Sequence, residues 1–552
     1  MYSNNYNQFK HQNEEDQLAL NVDTTKNEEL NIQSEPYTIS YLLQQLKQAR
    51  VQYLATKNDS NDNSDNEKNK KKVYRLSPLE TAYIITEYCH FCWFDNGDDE
   101  RLHLSTYDPE AGIYRDGERQ LRRFIFAVEP SYKESGATDV IYKLKQIKGG
   151  MVPVNPMSNP RYVPVGNGIV DLQQKIILPY GPNWFIKTKI ETPLPTAEYG
   201  SGRVLKPVPL LRPKEPVFKN LDGTNWTFNN WLGSIACDDE EIITVLWQVL
   251  HVVCNTNKAL KLHKAIFLLG NATGNNGKGT FQMLVKNLVG YHNFGLKKVA
   301  QFEKRFAMES LVNKSVIIGD DNPANIVIQD KSNFNSVITG DEVTVEPKGQ
   351  PEYPAQIHAV VIQSCNKMPR FEDDTGVYRR LLIVPFNADF NGTVENTAIK
   401  DQYLADKKLL QYVLYTALIE KGNFKNYLNA TASINALNQY EHTNNSVWTF
   451  IDDVFIDASA APWLQDMKRI PEAYLYGIWV NYAKEYGYRV GNQSDFLEKA
   501  LTRLNKLFPE RQYQRSKVRT LKVDQQIIKD HQQDDLGNVP KKFPDVNQSI
   551  IY

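Results

Sequence analysis

Ile266-Phe267-Leu268-Leu269-Gly270-Asn271-Ala272-Thr273-Gly274-Asn275-Asn276-Gly277-Lys278-Gly279-Thr280 decides how the rest of the chain is read. The first four residues are a short apolar run that fits a buried strand. The glycine-rich stretch follows, and then Phe281, Leu284, Val285 and Leu288 recur at helical spacing. Strand, glycine loop and helix are the setting a phosphate-binding loop requires. Glycines let backbone N–H groups converge on phosphate oxygens, and the helix N-terminus adds partial positive charge. Lys278 then reaches the β- and γ-phosphates. Gly274, Asn275, Asn276, Gly277, Lys278, Gly279 and Thr280 are therefore the candidate ATP-binding residues. Two positions depart from the motif. Ala272 stands at its first glycine, and Gly279 replaces the hydroxyl residue that should follow the lysine. Thr280 is the nearest hydroxyl and the candidate Mg²⁺ ligand from this loop. A glycine turn that binds nothing would look the same in isolation, so the downstream text must decide.

Ser315-Val-Ile-Ile-Gly319-Asp320-Asp321 is a second apolar strand, ending in two carboxylates. An enzyme that cleaves a bound triphosphate needs an acid at a neighbouring strand end to hold Mg²⁺, and often another to polarise the attacking water. Asp320 suits the metal and Asp321 the water. An ordinary Asp turn is the competing explanation, which the order and distance after the loop disfavour. A third strand, Ala359 to Cys365, ends at Asn366, whose amide can orient water or touch the γ-phosphate. Arg379 and Arg380 then precede a fourth apolar strand, Leu381 to Phe386. Paired arginines there suit an arginine finger that acts on phosphate held by an adjacent subunit.

These four elements in this order resemble a superfamily 3 helicase. The text is most similar to the C-terminal helicase of phage and plasmid primase-helicases, and the Gly277-Lys278-Gly279-Thr280 loop resembles Rep initiators of staphylococcal pathogenicity islands and related mobile elements. Tyr107-Asp108-x-x-x-Gly112-Ile113-Tyr114 and Val165-x-Asn167-Gly168-x-x-Asp171-Leu172 look like that family's pre-helicase domain. The resemblance implies an AAA+ P-loop ATPase core of α/β class, with ATP bound between subunits of a homo-hexamer. Single- and double-stranded DNA are the implied partners, and the cytoplasm of a bacterial host the implied location. It also implies a hairpin before the third strand that projects into the ring's pore. Val343-Thr-Val-Glu346-Pro347-Lys348-Gly349 alternates and then turns, as a hairpin should, with Lys348 at its tip for a DNA phosphate.

Composition bounds the remainder. The chain has 552 residues with 41% hydrophobic and 23% charged, the globular range. At roughly 150 residues per domain it makes three to four units. A net charge of -1 excludes a globally basic nucleic-acid binder, so any such contact rests on local patches. Five cysteines in this length form no disulfide framework. The polar start from Met1 lacks the apolar region of a secretory signal. No apolar run approaches the ~20 residues needed to span a bilayer, so no membrane partner is expected.

Along the chain, 1–72 reads as a mostly disordered tail and linker, with a short amphipathic helix through Ile39, Leu42, Leu43, Leu46 and Val51. Residues 73–192 read as an N-terminal α/β domain, with a hairpin about Asp108–Gly112 and a tight turn at Gly166–Gly168. A proline-rich linker is expected over 193–216, a helical collar over 217–262 and the motor over 263–430. A polar seam (Asn435, Asn438, Gln439, Asn444, Asn445) precedes a C-terminal winged helix-turn-helix over 440–552. In that region helices through Leu475–Ala483 and Phe496–Leu504 lead to a strand-like stretch from Tyr513 to Val523. Its basic residues Arg511, Arg515, Lys517, Arg519 and Lys522 are candidate DNA contacts. Cys89-His90-Phe91-Cys92 invites zinc, but no second pair of ligands follows nearby, and a structural site needs four. Half-buried helix cysteines are the preferred reading. Asp95, Asp98 and Asp99 read as a turn rather than a primase centre, which leaves priming to a separate protein. Two other functions stay open: a non-helicase P-loop DNA motor, and a DNA-binding initiator whose ATPase has decayed.

Overall fold

The computed structural model describes residues 38–62, 72–95, 104–220, 222–271, 274–323, 326–349, 351–371, 376–392, 396–518, 521–531 and 549–551. The expected N-terminal tail and Ala272, Asp98, Asp99 and Arg519 lie outside them. The fold is mixed α/β, and the chain divides into two compact units. One comprises Met1–Cys92 with Leu104–Val152, the other Trp93–His103 with Pro153–Tyr552.

The first unit contains helices α1 (Ile39–Asp62) and α2 (Pro78–Tyr88), a hairpin of β1 (Leu104–Asp108) and β2 (Ile113–Arg115), and helices α3 (Arg119–Val128) and α4 (Glu134–Lys148). Leu42, Leu46 and Ala49 of α1 are buried at helical spacing. The residues after the short helix through Val51 are expected to be linker, yet α1 runs on to Asp62. Tertiary contacts override the polar text there. Lys57 pairs with Glu80, and the Asn58 amide exchanges hydrogen bonds with the Val73 backbone at 2.7 and 3.1 Å. Cys89 and Cys92 are fully buried rather than half-buried, Cys89 as the cap residue after α2 and Cys92 in a short strand.

The second unit opens with an antiparallel sheet of β3 (Tyr162–Val165), β4 (Gly168–Asp171), β5 (Ile176–Leu178) and β6 (Val208–Pro209). The proline-rich stretch is therefore no spacer. Leu194 and Val204 are completely buried, and the Asn167 amide holds the Leu194 N–H and C=O at 2.9 and 2.8 Å. The prolines shape its path, while the apolar residues between them fasten it to the core. Helices α5 (Phe228–Ile235), α6 (Glu240–Cys254) and α7 (Thr256–Leu262) come next. They share one core with the following sheet rather than forming a separate collar.

That sheet is built from β7 (Ala265–Gly270), helix α8 (Lys278–Val289), β8 (Phe294–Leu296), β9 (Val316–Gly319), helix α9 (Ser332–Thr339), the hairpin β10 (Glu342–Val345) and β11 (Tyr353–Gln356), β12 (Val360–Cys365) and β13 (Leu381–Phe386). Five strands lie parallel in the order β8-β9-β12-β7-β13. The four strands β9, β12, β7 and β13 are buried on both faces, as parallel strands are, while Leu296 of the edge strand β8 is exposed. Ile266, Leu268, Val316, Ile318, Val360 and Ile362 face one core, and Ala265, Phe267, Ile317 and Val361 the other. Helix α10 (Lys407–Tyr415) closes the first core. The supposed seam is helix α11 (Thr431–Asn444). Asn435, Asn438 and Gln439 are its exposed face at helical spacing, whereas Tyr440 is buried and its hydroxyl donates to the Pro369 carbonyl at 2.6 Å.

A third core belongs to α12 (Ser446–Phe455), β14 (Arg469–Pro471), α13 (Glu472–Glu485), α14 (Gln493–Leu507), β15 (Gln514–Ser516), α15 (Lys522–Asp530) and β16 (Ser549–Ile551). Trp479 and Phe496 stack at its centre, with Phe450 tilted against both. The strands form an antiparallel sheet in the order β14-β16-β15. The long strand expected over Tyr513–Val523 is only Gln514–Ser516, because Lys522 starts a helix. Buried Asp524 anchors that helix by accepting from the Lys468 and Arg469 amides at 3.2 and 3.1 Å. Among the described residues no helix is long and apolar enough to cross a membrane.

Candidate nucleotide and nucleic-acid sites

Parallel strands bring all their C-terminal ends to one edge, where open α/β sheets bind ligands. Register places Leu269 beside Cys365 and Gly319 beside Gln363, so Gly270, Asp320, Ser364 and Asn366 share that edge. The loop between β7 and α8 turns through positive φ at Gly274 (71°), Asn275 (46°) and Gly277 (87°), a geometry that turns backbone amides into an anion-binding concavity. Gly270 leaves room for the side chains that gather over the loop. A Cβ there would sit 2.0 Å from Lys278 Nζ and 2.3 Å from Asn276 Nδ2.

Lys278 is the first residue of α8, and its Nζ donates to Asn276 Oδ1 at 2.7 Å and Asn366 Oδ1 at 2.6 Å. Both acceptors are neutral amides, so the ammonium keeps its full charge for an anion. Burial lowers its pKa, while Cys365, Asp321 and Asp320 act in the opposite direction. Asn275 and Gly279 are exposed, Asn276 is buried, and Thr280 lies half-buried in the first turn of α8. The loop and lysine fit the phosphates of ATP, and the carboxylates next to them fit Mg²⁺.

Asp320 and Asp321 are both exposed at the end of β9. Ser364 at the end of β12 joins them. Its hydroxyl donates to Asp320 Oδ1 at 2.7 Å and accepts the Asp321 N–H at 2.9 Å. Asp321 has φ 51°, a left-handed conformation that costs energy in a non-glycine residue and often marks a functional turn. Buried Asn322 fixes that turn, donating to Gln363 Oε1 (3.0 Å) and the Ser364 carbonyl (3.1 Å) and accepting from Val299 N (3.0 Å).

Ser364 and Asn322 were missed in the sequence reading. The signal was present: Gln363 and Ser364 are two polar residues inside an apolar strand, and buried polar groups need partners.

Arg379 and Arg380 sit at the opposite edge. Ala265 pairs with Leu381 and Gly270 with Phe386, so five residue steps, about 16 Å at ~3.3 Å per step, separate the arginines from the loop. Arg379 is exposed, whereas Arg380 Nη1 donates to the Gly376 carbonyl at 2.7 Å. The expected hairpin is present as β10 and β11, with exposed Lys348 in its connection next to Gly349 at φ 75°. In the C-terminal core, Arg515 is held by buried Glu472 in a bidentate pair at 3.0 and 2.8 Å. Arg511 donates to Tyr513 Oη at 3.0 Å, and Lys517 and Lys522 are exposed.

A family model described as "Family of unknown function (DUF5906)" matches residues 270–380, from the end of β7 through Arg380 and well under half of the chain. No curated protein matches. Among solved structures, the A form apo structure of the NrS-1 C-terminal region is 13% identical, covers 77% of this chain and 85% of its own, and superposes with a TM-score of 0.41. An apo structure of the same NrS-1 region is 13% identical, covers 86% of this chain and 99% of its own, also with a TM-score of 0.41.

Proposed function

We propose that the chain is an ATP-driven DNA helicase with an AAA+ core, working as a homo-hexameric ring to open DNA for replication of a mobile element. The observation that carries this reading is the meeting of Lys278, Asn366 and the Asp320–Asp321 pair at one strand edge. Strand β12 lies between the loop strand and the acidic strand. A γ-phosphate beside Lys278 would therefore have Asn366 next to it and the two carboxylates just beyond.

Lys278 and the loop amides hold the phosphates. Asp320, oriented by Ser364, together with Thr280 would hold Mg²⁺, which when bound shields phosphate charge and polarises the transferring group. Asp321 accepts a proton from the attacking water, and Asn366 positions that water. The 16 Å separation makes Arg379 useless to its own loop, so it acts on a neighbour's, and the exposed Lys348 meets the strand in the pore. Residues 440–552 serve as a winged helix: paired helices α13 and α14 and a three-stranded sheet support this reading. Arg515 is engaged by Glu472, so duplex phosphate contact falls to Lys517 and Lys522.

The test is strand separation on a forked duplex with ATP and Mg²⁺, using the full chain and its Lys348→Ala variant. The wild type is expected to release the labelled strand and the variant to lose most of that activity. Phosphate release from ATP with no strand separation, on forks of either polarity, would turn the reading to a non-helicase DNA motor.

A further inference from the structure

We propose that a second, ATP-independent site for single-stranded nucleic acid lies in the first unit, in the groove between α1 and α3. Helix α3 is strongly two-sided. Leu121, Phe124, Ile125 and Val128 are buried, and Arg119, Arg122, Arg123 and Phe126 recur at i, i+3, i+4 and i+7 on the other face. Helix α1 contributes Lys47 and Arg50 across a groove of about 710 Å³. Five cations thus line one concavity, and none of its described lining residues is acidic. In a chain of net charge -1 that concentration is local.

Two of the cations are paired with carboxylates. Arg50 Nη2 lies 3.4 Å from buried Glu129, which also accepts the Leu76 N–H at 3.0 Å, and Arg122 Nη2 lies 2.7 Å from Glu118. Among the described residues Lys47, Arg119 and Arg123 make no ion pair, and Arg119 and Arg123 are exposed with Lys47.

Phe126 decides the class of ligand. It is 65% exposed and lines the same concavity as Arg119, Arg122 and Arg123, so its ring is open to a stacking partner beside the cations. Single strands present unstacked bases beside phosphates, and a groove of cations with an aromatic platform matches both. Duplex DNA keeps its bases stacked inside and would leave Phe126 unused. A membrane-inserting ring would protrude, whereas Phe126 lines a concavity.

The experiment uses the full chain in a Lys348→Ala background, so that the hairpin does not mask the groove. Binding of fluorescein-labelled dT20 is followed by anisotropy across a salt series without nucleotide. Arg119→Gln with Arg123→Gln is expected to lower the slope of log affinity against log salt by about 1.4, at ~0.7 per lost contact. Phe126→Ala is expected to weaken binding about fivefold or more at unchanged slope, the loss of one stacked base. All three side chains are exposed, and circular dichroism checks that the variants fold. Unchanged affinity and slope in both would overturn the proposal. So would equal weakening for dT20 and a 20-base-pair duplex with Phe126→Ala silent, or Phe126-dependent capture by phosphatidylserine vesicles without dT20 binding. None of these readings involves ATP, so they stand apart from the fate of the motor assignment.

Discussion

Lys278 held by two amide oxygens, and Asp320 held by a serine hydroxyl, set what each side chain at the strand edge can do. An ammonium tied to a carboxylate would be neutralised, but one cradled by Asn276 and Asn366 stays available to phosphate. Asp321→Asn should keep nucleotide binding and lower turnover at least 10²-fold, the low end for loss of a general base. Ser364→Ala should raise the Mg²⁺ concentration needed for half-maximal turnover by roughly tenfold or more, the usual cost of losing a group that orients a metal ligand. Steady-state phosphate release over a Mg²⁺ titration checks both, and wild-type behaviour of Asp321→Asn would pass the base role to Asp320. The loop, both carboxylates and Asn366 were legible because short motifs carry them. Polar Ser364 inside an apolar strand signals only that it needs a partner; which partner it and Asn322 find depends on which strands become neighbours, and β9 and β12 are distant in the chain.

At the scale of elements, strand direction makes the sharpest statement. Because β7 and β13 are parallel and in register from Ala265 with Leu381 to Gly270 with Phe386, Arg379 and Lys278 of one chain lie at opposite edges. An Arg379→Ala subunit mixed with a Lys278→Ala subunit should therefore recover part of the ATPase activity that each lacks alone. No recovery at any ratio, with assembly verified by light scattering, would count against action across an interface. The strands themselves were readable from apolar runs, and the hairpins from turn residues. Helix α11 was misread because its exposed Asn435, Asn438 and Gln439 dominate the text, although their spacing is helical. The segment after Pro193 was misread because proline content suggests stiffness and says nothing about whether Leu194 and Val204 find a core.

For the whole molecule, the second unit holds three separate cores and the first unit the basic groove. The third core contains nearly all of the C-terminal elements from α12 onward, and an isolated 440–552 fragment is expected to protect specific repeats of its cognate DNA in a footprint. Protection no better than on random duplex would move recognition elsewhere. The groove of α1 and α3 escaped the sequence reading because its cations come from two helices far apart in the chain. The central claim is that the Lys278 edge hydrolyses ATP in response to DNA, and release of inorganic phosphate by the full chain tests it most directly. Wild-type protein with ATP and Mg²⁺ should release phosphate faster when single-stranded DNA is added, and Lys278→Ala should release none above background with or without it. Equal release by the two proteins would contradict the account.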